Sequence, residues 1–473
     1  MTAPDPGVAV GGTGSIPEGW QPHIVALVCN WCSYAGADMA GTNRLEYPAN
    51  VRMVRFPCTG RMSPLMILRA FEQGADGVLV SGCHPGDCHY VQGNLVARRR
   101  FTIFRSLLDF IGIDLRRLHF AWVSASEGNK WAEVVRDVTD ACREAGPLPG
   151  FADADVASGT ELPGLTGDGP EPLTDPELDA VRSHLREAAS RVLADGRVGA
   201  VIGHGPDSLP DRTSPVFVTE PGDVDVLEWG RFCHNNLSAY VVSALGQHER
   251  VAVVAKTCDL GAISGLLREG QLPRDRLVVI GVRCAGVDGA HGGSALSAKC
   301  LGCSGDPHPI CDLVVTVDGV RESRQDPSGA ARDTPDARDV QIAHLESMPH
   351  DDRWAYWQRQ FASCLRCYAC RAACPLCYCS SCIVEKHRPQ WVPTAIDNRG
   401  NSSWNIIRAL HLAGRCSGCD ECARACPADI RIDLINRKLA LEVERRYGSA
   451  GLDPAKKSPL VEFRTEDTED FIL

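Results

Sequence analysis

Several features are missing from this 473-residue sequence, and each absence removes a class of function. No stretch approaches the roughly 18 continuous apolar residues that a membrane-spanning helix needs. Met1–Gly19 lacks the basic region followed by an apolar one that marks a secretory leader, so the expected compartment is the cytoplasm. The net charge of −11 argues against nucleic acid or anionic lipid as a partner. No phosphate-binding Walker loop, Ser/His/Asp set or carboxylate pair offers bond-making chemistry by side chains. The run Gly11-Gly-Thr-Gly14 precedes any expected strand and carries no phosphate-binding role. What the chain has in abundance is cysteine: 23 thiols, which in a reducing compartment bind metal more often than they form disulfides. Its 44% hydrophobic and 23% charged content is ordinary for a globular protein, with room for about three domains.

The strongest pattern is Cys-x-x-Cys-x-x-Cys-x-x-x-Cys-Pro, which occurs twice: at Cys364, Cys367, Cys370, Cys374 and Pro375, and at Cys416, Cys419, Cys422, Cys426 and Pro427. Three thiolates on a tight loop can hold three corners of an iron–sulfur cube, and the fourth ligates the neighbouring cube in two-cluster ferredoxins. The expected sets are therefore Cys364, Cys367, Cys370 and Cys426 for one 4Fe-4S cluster, and Cys416, Cys419, Cys422 and Cys374 for the other. Structural zinc also takes four thiolates, but draws them as two separated pairs.

Toward the N-terminus, expected strands at Ile24–Val28, Val51–Phe56, Gly77–Val80 and Leu118–Ser124 alternate with helices at Ser63–Gln73 and Leu95–Gly112. Such alternation predicts a parallel sheet with helices on both faces and a ligand crevice at the carboxyl ends of the strands. Cys29, Cys58 and Cys83 each follow a different strand, so three thiols distant in sequence are expected at one edge, with Cys32 and Cys88 within reach. Buried free thiols that only pack are the alternative. Arg98–Arg100 reads as a solvated basic face, and Cys142 as inert.

Cys29-Asn-Trp-Cys-Ser-Tyr-Ala-Gly-Ala-Asp38, Pro57-Cys-Thr-Gly-Arg61 and Gly82-Cys-His-Pro-Gly-Asp-Cys-His-Tyr90 resemble the delta subunit of methyl-viologen-reducing hydrogenase over about residues 22–145. The resemblance implies a 2Fe-2S cluster that relays electrons between a hydrogenase or formate dehydrogenase and a heterodisulfide-reductase-type flavoprotein. Its four ligands are expected among Cys29, Cys58, Cys83 and Cys88, with Cys32 as the substitute.

After a Pro/Gly-rich linker at 146–174, a helix from Asp175 to about Ala194 opens a second α/β unit with apolar runs at Ala200–Ile202, Pro215–Val218, Val251–Ala255 and Leu277–Val282. Cys258 and Cys284 again follow strands, Cys300 and Cys303 come next, and Cys233 and Cys311 lie nearby. These thiols suit a third 4Fe-4S cluster, zinc or simple burial. Phe232-Cys-His-Asn-Asn-Leu-Ser-Ala-Tyr240, Lys256-Thr-Cys-Asp259 and Val279–Val282 resemble the beta-subunit family of deazaflavin-dependent hydrogenases and formate dehydrogenases. That likeness implies FAD as a cofactor.

Val315–Asp339 reads as a polar linker, and Val340–Gln358 as a helix leading into the cysteine-rich region. Between the two ferredoxin-type copies stand Cys377, Cys379 and Cys382, able to complete a third cluster with Cys300 and Cys303 or to pack, followed by a helix at Ser403–Ala413. Cys364–Cys379 and His411–Pro427 are also similar to the iron–sulfur module of the beta subunits. Arg366, Arg371, Arg415 and Arg424 flank the motifs; the acidic tail either docks on a partner or is solvated.

The expected organisation is thus α/β: a disordered start (1–21), a hydrogenase delta-subunit-like 2Fe-2S domain (22–145), a linker (146–174), an α/β beta-subunit-like domain (175–325), a linker (326–345), a ferredoxin-like 4Fe-4S dicluster domain (346–445) and an acidic tail (446–473), with both sheets parallel. The expected function is an electron-transfer subunit of an oxidoreductase complex. The alternatives are a flavoenzyme acting on a deazaflavin or nicotinamide coenzyme, and a cluster-based redox sensor or scaffold.

Overall fold

The computed structural model describes residues 19–148, 150, 161–289, 295–307, 310–323 and 336–473. Most of the segment 1–21, including Gly11–Gly14, lies outside those residues, as do parts of both expected linkers.

The first unit alternates β1 (Ile24–Cys29), α1 (Ser33–Thr42), β2 (Val51–Phe56), α2 (Pro64–Glu72), β3 (Gly77–Gly82), α3 (Gly93–Phe110), β4 (Leu118–Trp122) and α4 (Gly128–Ala145). All four strands pair in parallel in the order β2-β1-β3-β4. β1 and β3 are buried on both faces, as their runs of Val and Leu require. The edge strand β2 instead exposes Arg52 and Arg55, charges that blunt an open edge. Ser63 Oγ accepts from Leu65 N at 3.3 Å with Pro64 in the first turn, which starts α2 where the sequence predicts.

The second unit contains α5 (Asp175–Ala194), β5 (Ala200–Pro206), β6 (Thr213–Val218), α6 (Ser238–Leu245), β7 (Val251–Ala255), α7 (Thr257–Arg268), β8 (Leu277–Val282), β9 (Leu313–Thr316) and β10 (Gly319–Glu322). Its sheet, ordered β10-β9-β8-β7-β5-β6, is mixed rather than parallel, because β6 and β10 run antiparallel to their neighbours. The reason is chain length. The β5–β6 and β9–β10 connections are too short for a crossover helix, so each closes as a hairpin. β9 and β10 also occupy the start of the segment expected to be a linker from Val315.

Beyond residue 336 the regular elements are helices joined by long loops: α8 (Asp339–Ser347), α9 (His350–Ala362), α10 (Ala369–Ala372), α11 (Asn398–His411), α12 (Glu421–Arg424) and α13 (Ile432–Tyr447). The single helix expected at Val340–Gln358 is two, since Pro349 caps α9 and Met348 before it is extended (ψ 151°). One hydrophobic core joins this region to the first sheet: Phe104 and Leu107 of α3, Trp357 of α9, Ile407 of α11 and Leu439 of α13 all belong to it.

Arg98 and Arg99 are not solvated; they are 1% and 3% exposed. Arg98 pairs with Glu469, and Arg99 with both carboxylate oxygens of Asp467 (3.0 Å from Nη2 to Oδ1). The acidic tail therefore docks on this chain's own first unit. It also adds backbone bonds along β4, from Leu473 N to Phe120 O (2.8 Å) and from Trp122 N to Leu473 O (3.2 Å).

Candidate cluster-binding sites

In the first unit, β1 ends at Cys29, β2 is followed by Pro57-Cys58 and β3 by Cys83, so parallel registration brings three strand ends to one edge. Cys29, Cys58, Cys83 and Cys88 form a buried cluster with Cys32 at its margin. They stand as two pairs, with Sγ–Sγ distances of 3.6 Å for Cys29–Cys83 and 3.8 Å for Cys58–Cys88. A tetrahedral metal with a metal–sulfur bond of about 2.3 Å places two thiolates about 3.8 Å apart. Each pair thus has the span of two ligands on one tetrahedral iron.

The hydrogen bond from Cys83 holds the Cys29 thiol down to about 6, against the effect of burial, while the same contact pushes Cys83 well up. One thiolate is favoured within that pair. Gly60 N donates to Cys58 Sγ at 3.5 Å, and a Cβ at Gly93 would stand 2.3 Å from the same sulfur. Buried Asn94 donates from Nδ2 to the carbonyls of Cys83 and His84, both at 2.9 Å, fixing the loop between Cys83 and Cys88. Its place at the start of α3 gave no sign of this role.

The two ferredoxin-type loops share one backbone form. In each, the residues on either side of the second cysteine are left-handed: Arg366 (φ 53°) and Tyr368 (φ 59°) around Cys367, Gly418 (φ 68°) and Asp420 (φ 57°) around Cys419. Each loop then enters a single helical turn, α10 or α12. Non-glycine residues rarely adopt this conformation, and such strain collects where a ligand imposes the loop shape. Asp420 is held by fully buried Arg338, itself paired with Asp336.

The loops exchange their fourth cysteines. Cys364, Cys367, Cys370 and Cys426 line one narrow cavity. Cys374, Cys416, Cys419 and Cys422 line another, of about 210 Å³. Burial pushes Cys416 up to about 11 and Cys419 to about 12.

Three of the four flanking arginines are committed to carboxylates: Arg371 to Glu385, Arg415 to Glu269 and Arg424 to Glu421. Arg366 donates to Pro393 O at 2.6 Å. The decisive cation is Arg408, which nothing in the sequence singled out. Placed in the middle of α11 and 2% exposed, it donates from Nη2 to Cys370 O at 2.7 Å, while its Nε and Nη1 have no partner. Burial would lower its pKa, yet Cys422, Cys370, Cys374 and Cys377 hold it up. A buried guanidinium lacking a carboxylate is costly unless anions surround it. The residues present therefore fit anionic, thiolate-held clusters.

Cys377 hydrogen-bonds with Cys374, Cys379 is exposed, and Cys382 sits in a turn where its N–H donates to Glu385 at 2.8 Å. In the central unit, Cys258 and Cys284 leave the ends of β7 and β8, followed by Cys300 and Cys303. The turn carrying Cys300 approaches the second ferredoxin-type loop, where Lys299 Nζ donates to Cys419 O at 3.0 Å. Cys233 and Cys311 are buried in the central core, and Cys142 in that of the first unit. Among the described residues, no three His, Cys, Asp or Glu side chains converge tightly enough to chelate a single ion.

Residues 24–146 match the family model described as methyl-viologen-reducing hydrogenase, delta subunit. The iron-sulfur D-type subunit of an F420-non-reducing hydrogenase from Archaeoglobus profundus is 50% identical over 131 residues, which span 28% of this chain and 96% of the relative. The chain belongs to the delta-subunit family. The corresponding vhc iron-sulfur protein of an F420-non-reducing hydrogenase from Methanococcus voltae is 48% identical over 130 residues, covering 28% of this chain and 90% of that protein. A component of the ferredoxin/F420H2-dependent CoB-CoM heterodisulfide reductase from Methanosarcina acetivorans is 43% identical over 127 residues, 27% of this chain and only 16% of its own length. The shared domain thus occurs in relatives both as a protein of its own and as part of a larger one. No helix among the described residues is long and apolar enough to cross a membrane.

Proposed function

We propose that this chain is an iron–sulfur electron-transfer subunit of an oxidoreductase complex. It relays electrons between a hydrogenase- or formate-dehydrogenase-type module and a heterodisulfide-reductase-type flavoprotein. Cys29, Cys58, Cys83 and Cys88 hold a 2Fe-2S cluster, one thiol pair to each iron. Cys364, Cys367, Cys370 and Cys426 hold one 4Fe-4S cluster; Cys416, Cys419, Cys422 and Cys374 hold the other. When bound, these groups supply one-electron transfer. The polypeptide's part is to fix the thiolates, exclude water and balance charge: Gly60 N–H on Cys58, Gly418 N–H on Cys416 (3.5 Å) and Asn436 Nδ2 on Cys422 (3.5 Å) each donate to a ligand sulfur. None of the 23 cysteines is paired in a disulfide, which suits the reducing cytoplasm as the compartment.

The observation that carries this reading is the exchange of Cys374 and Cys426 between the two loops, which only a pair of neighbouring cubes requires. Iron and acid-labile sulfide per chain, with low-temperature EPR of the anaerobic reduced protein, tests it. The expected result is at least about ten irons and magnetically interacting 4Fe-4S signals. C426S should alter the cube of the first loop and C374S that of the second; fewer than about eight irons in the unsubstituted protein would overturn the assignment.

A further inference from the structure

The central unit carries six thiols that the proposed relay does not use, and the fold delivers four of them to one place. β7 and β8 are parallel neighbours with Ala255 opposite Gly281, and Cys258 and Cys284 each follow three residues past that rung. They therefore leave the same end of adjacent strands, where an open α/β sheet binds its ligands. Two later turns fold back onto this edge. Cys284 N donates to Gly305 O at 2.9 Å, which lays the Cys303–Gly305 turn against Cys284, while Gly305 N donates to Cys303 Sγ at 3.4 Å. A Cβ at Gly286 would lie 3.7 Å from Cys300 Cβ, and Val287 N donates to Cys300 Sγ at 3.4 Å. Cys258, Cys284 and Cys300 each lie within electrostatic reach of the other two.

The surroundings are unusually cationic for a protein interior. The Lys256 and Lys299 side chains are only 2% and 4% exposed. Lys256 pairs with Asp259 at 3.0 Å and Lys299 with Glu421 at 3.9 Å. His204 and His234 lie in the field of these lysines, and each has a buried Nε2 without a partner. Buried ammonium groups beside thiols are stable when those thiols are ionised and bind metal.

From this convergence we propose a third cluster site, a 4Fe-4S cluster held by Cys258, Cys284, Cys300 and Cys303, with Lys256 and Lys299 offsetting its negative charge. Cys377, Cys379 and Cys382 are not its ligands. Because Lys299 donates to Cys419 O at 3.0 Å, the site adjoins the second ferredoxin-type loop, and the central unit becomes part of the same electron path. This goes beyond the relay proposed above and shares with it only the loop at Cys419.

The test is metal analysis and EPR on full-length chain reconstituted anaerobically with iron and sulfide. About fourteen irons per chain are expected, falling to about ten in C258S/C284S with the first-unit and dicluster signals retained. C303A, altered on a partly exposed turn outside the core, serves as a second variant and should also lose iron while keeping those signals. Full iron content in either variant overturns the proposal. So does one zinc per chain in the unsubstituted protein that disappears in C258S/C284S. Failure of the relay reading looks different: the dicluster signals would be missing from the unsubstituted protein itself.

Discussion

At the scale of single residues, the site is governed by groups whose function depends on what surrounds them. Arg408 is the clearest case. It lies among cysteines of both ferredoxin-type loops, so with the clusters proposed above in place, removing its charge should make both 4Fe-4S potentials more negative. A buried unit charge a few ångströms away is worth about 1–2 kcal/mol after screening, roughly 40–90 mV for a one-electron couple. EPR-monitored redox titration of R408Q should show that shift and R408K should largely abolish it. Equal potentials in all three proteins would mean that the guanidinium acts only through its bond to Cys370 O. Gly93 gives a second prediction. Ala in place of Gly gains up to about 1 kcal/mol of helix propensity, but a Cβ 2.3 Å from Cys58 Sγ costs about 1–3 kcal/mol of overpacking. G93A should therefore weaken or abolish the first-unit 2Fe-2S signal and leave the 4Fe-4S signals intact. The convergence of these twelve cysteines was legible because their spacing is local in the ferredoxin-type motifs and falls at strand ends in the first unit. Arg408 was not, since an arginine within a helix looks solvated until tertiary packing buries it.

At the scale of elements, apolar runs located the strands and Ser63-Pro64 located the start of α2, but the direction of β6 and β10 depended on loop length rather than on composition. Pro349 was a readable break that the amphipathic run on either side of it obscured. The join between α13 and α3 was invisible, because it rests on a shared hydrophobic core and on one hydrogen bond that spans 336 residues. Glu442 accepts from Lys438 at 2.7 Å, Arg445 at 2.8 Å and Arg446 at 3.0 Å, and from Ser106 Oγ of α3 at 3.3 Å. Burial would raise its pKa, but those cations hold it down at about 2. A carboxylate depressed in the folded state stabilises above its unfolded pKa of about 4.3, and that stability drains away as pH falls toward 2. The unsubstituted protein should therefore lose on the order of 1–2 kcal/mol more than E442Q between pH 5 and pH 2. Urea unfolding at a series of pH values measures the difference, and parallel curves for the two proteins would refute it.

At the scale of the whole molecule, the cysteine sites are carried by a chain whose tail folds back: its last residues close over α3 and β4 of the first unit. Net charge and composition read the tail as acidic, and left open what it meets; the buried Arg98 and Arg99 supply the answer. Deleting residues 462–473 removes Asp467 and Glu469 and leaves two guanidiniums, 1% and 3% exposed in the full chain, without their carboxylates and with part of their cover gone. Breaking a buried pair costs at most about 3–5 kcal/mol, less as water reaches the uncovered guanidiniums, and the deletion also strips β4 of a strand-like neighbour, opening an edge to self-association. The deletion should lower the thermal midpoint and increase light scattering, while iron content before heating stays the same. Adding R98M and R99M to the deletion should recover part of the midpoint, because the uncompensated charges are gone, but not the scattering, because the edge is still open. A deletion variant that melts with the full chain would show that the tail is laid on the surface without supporting it. Recovery of both properties by the methionines would assign the whole effect to charge, and none to the edge of the sheet.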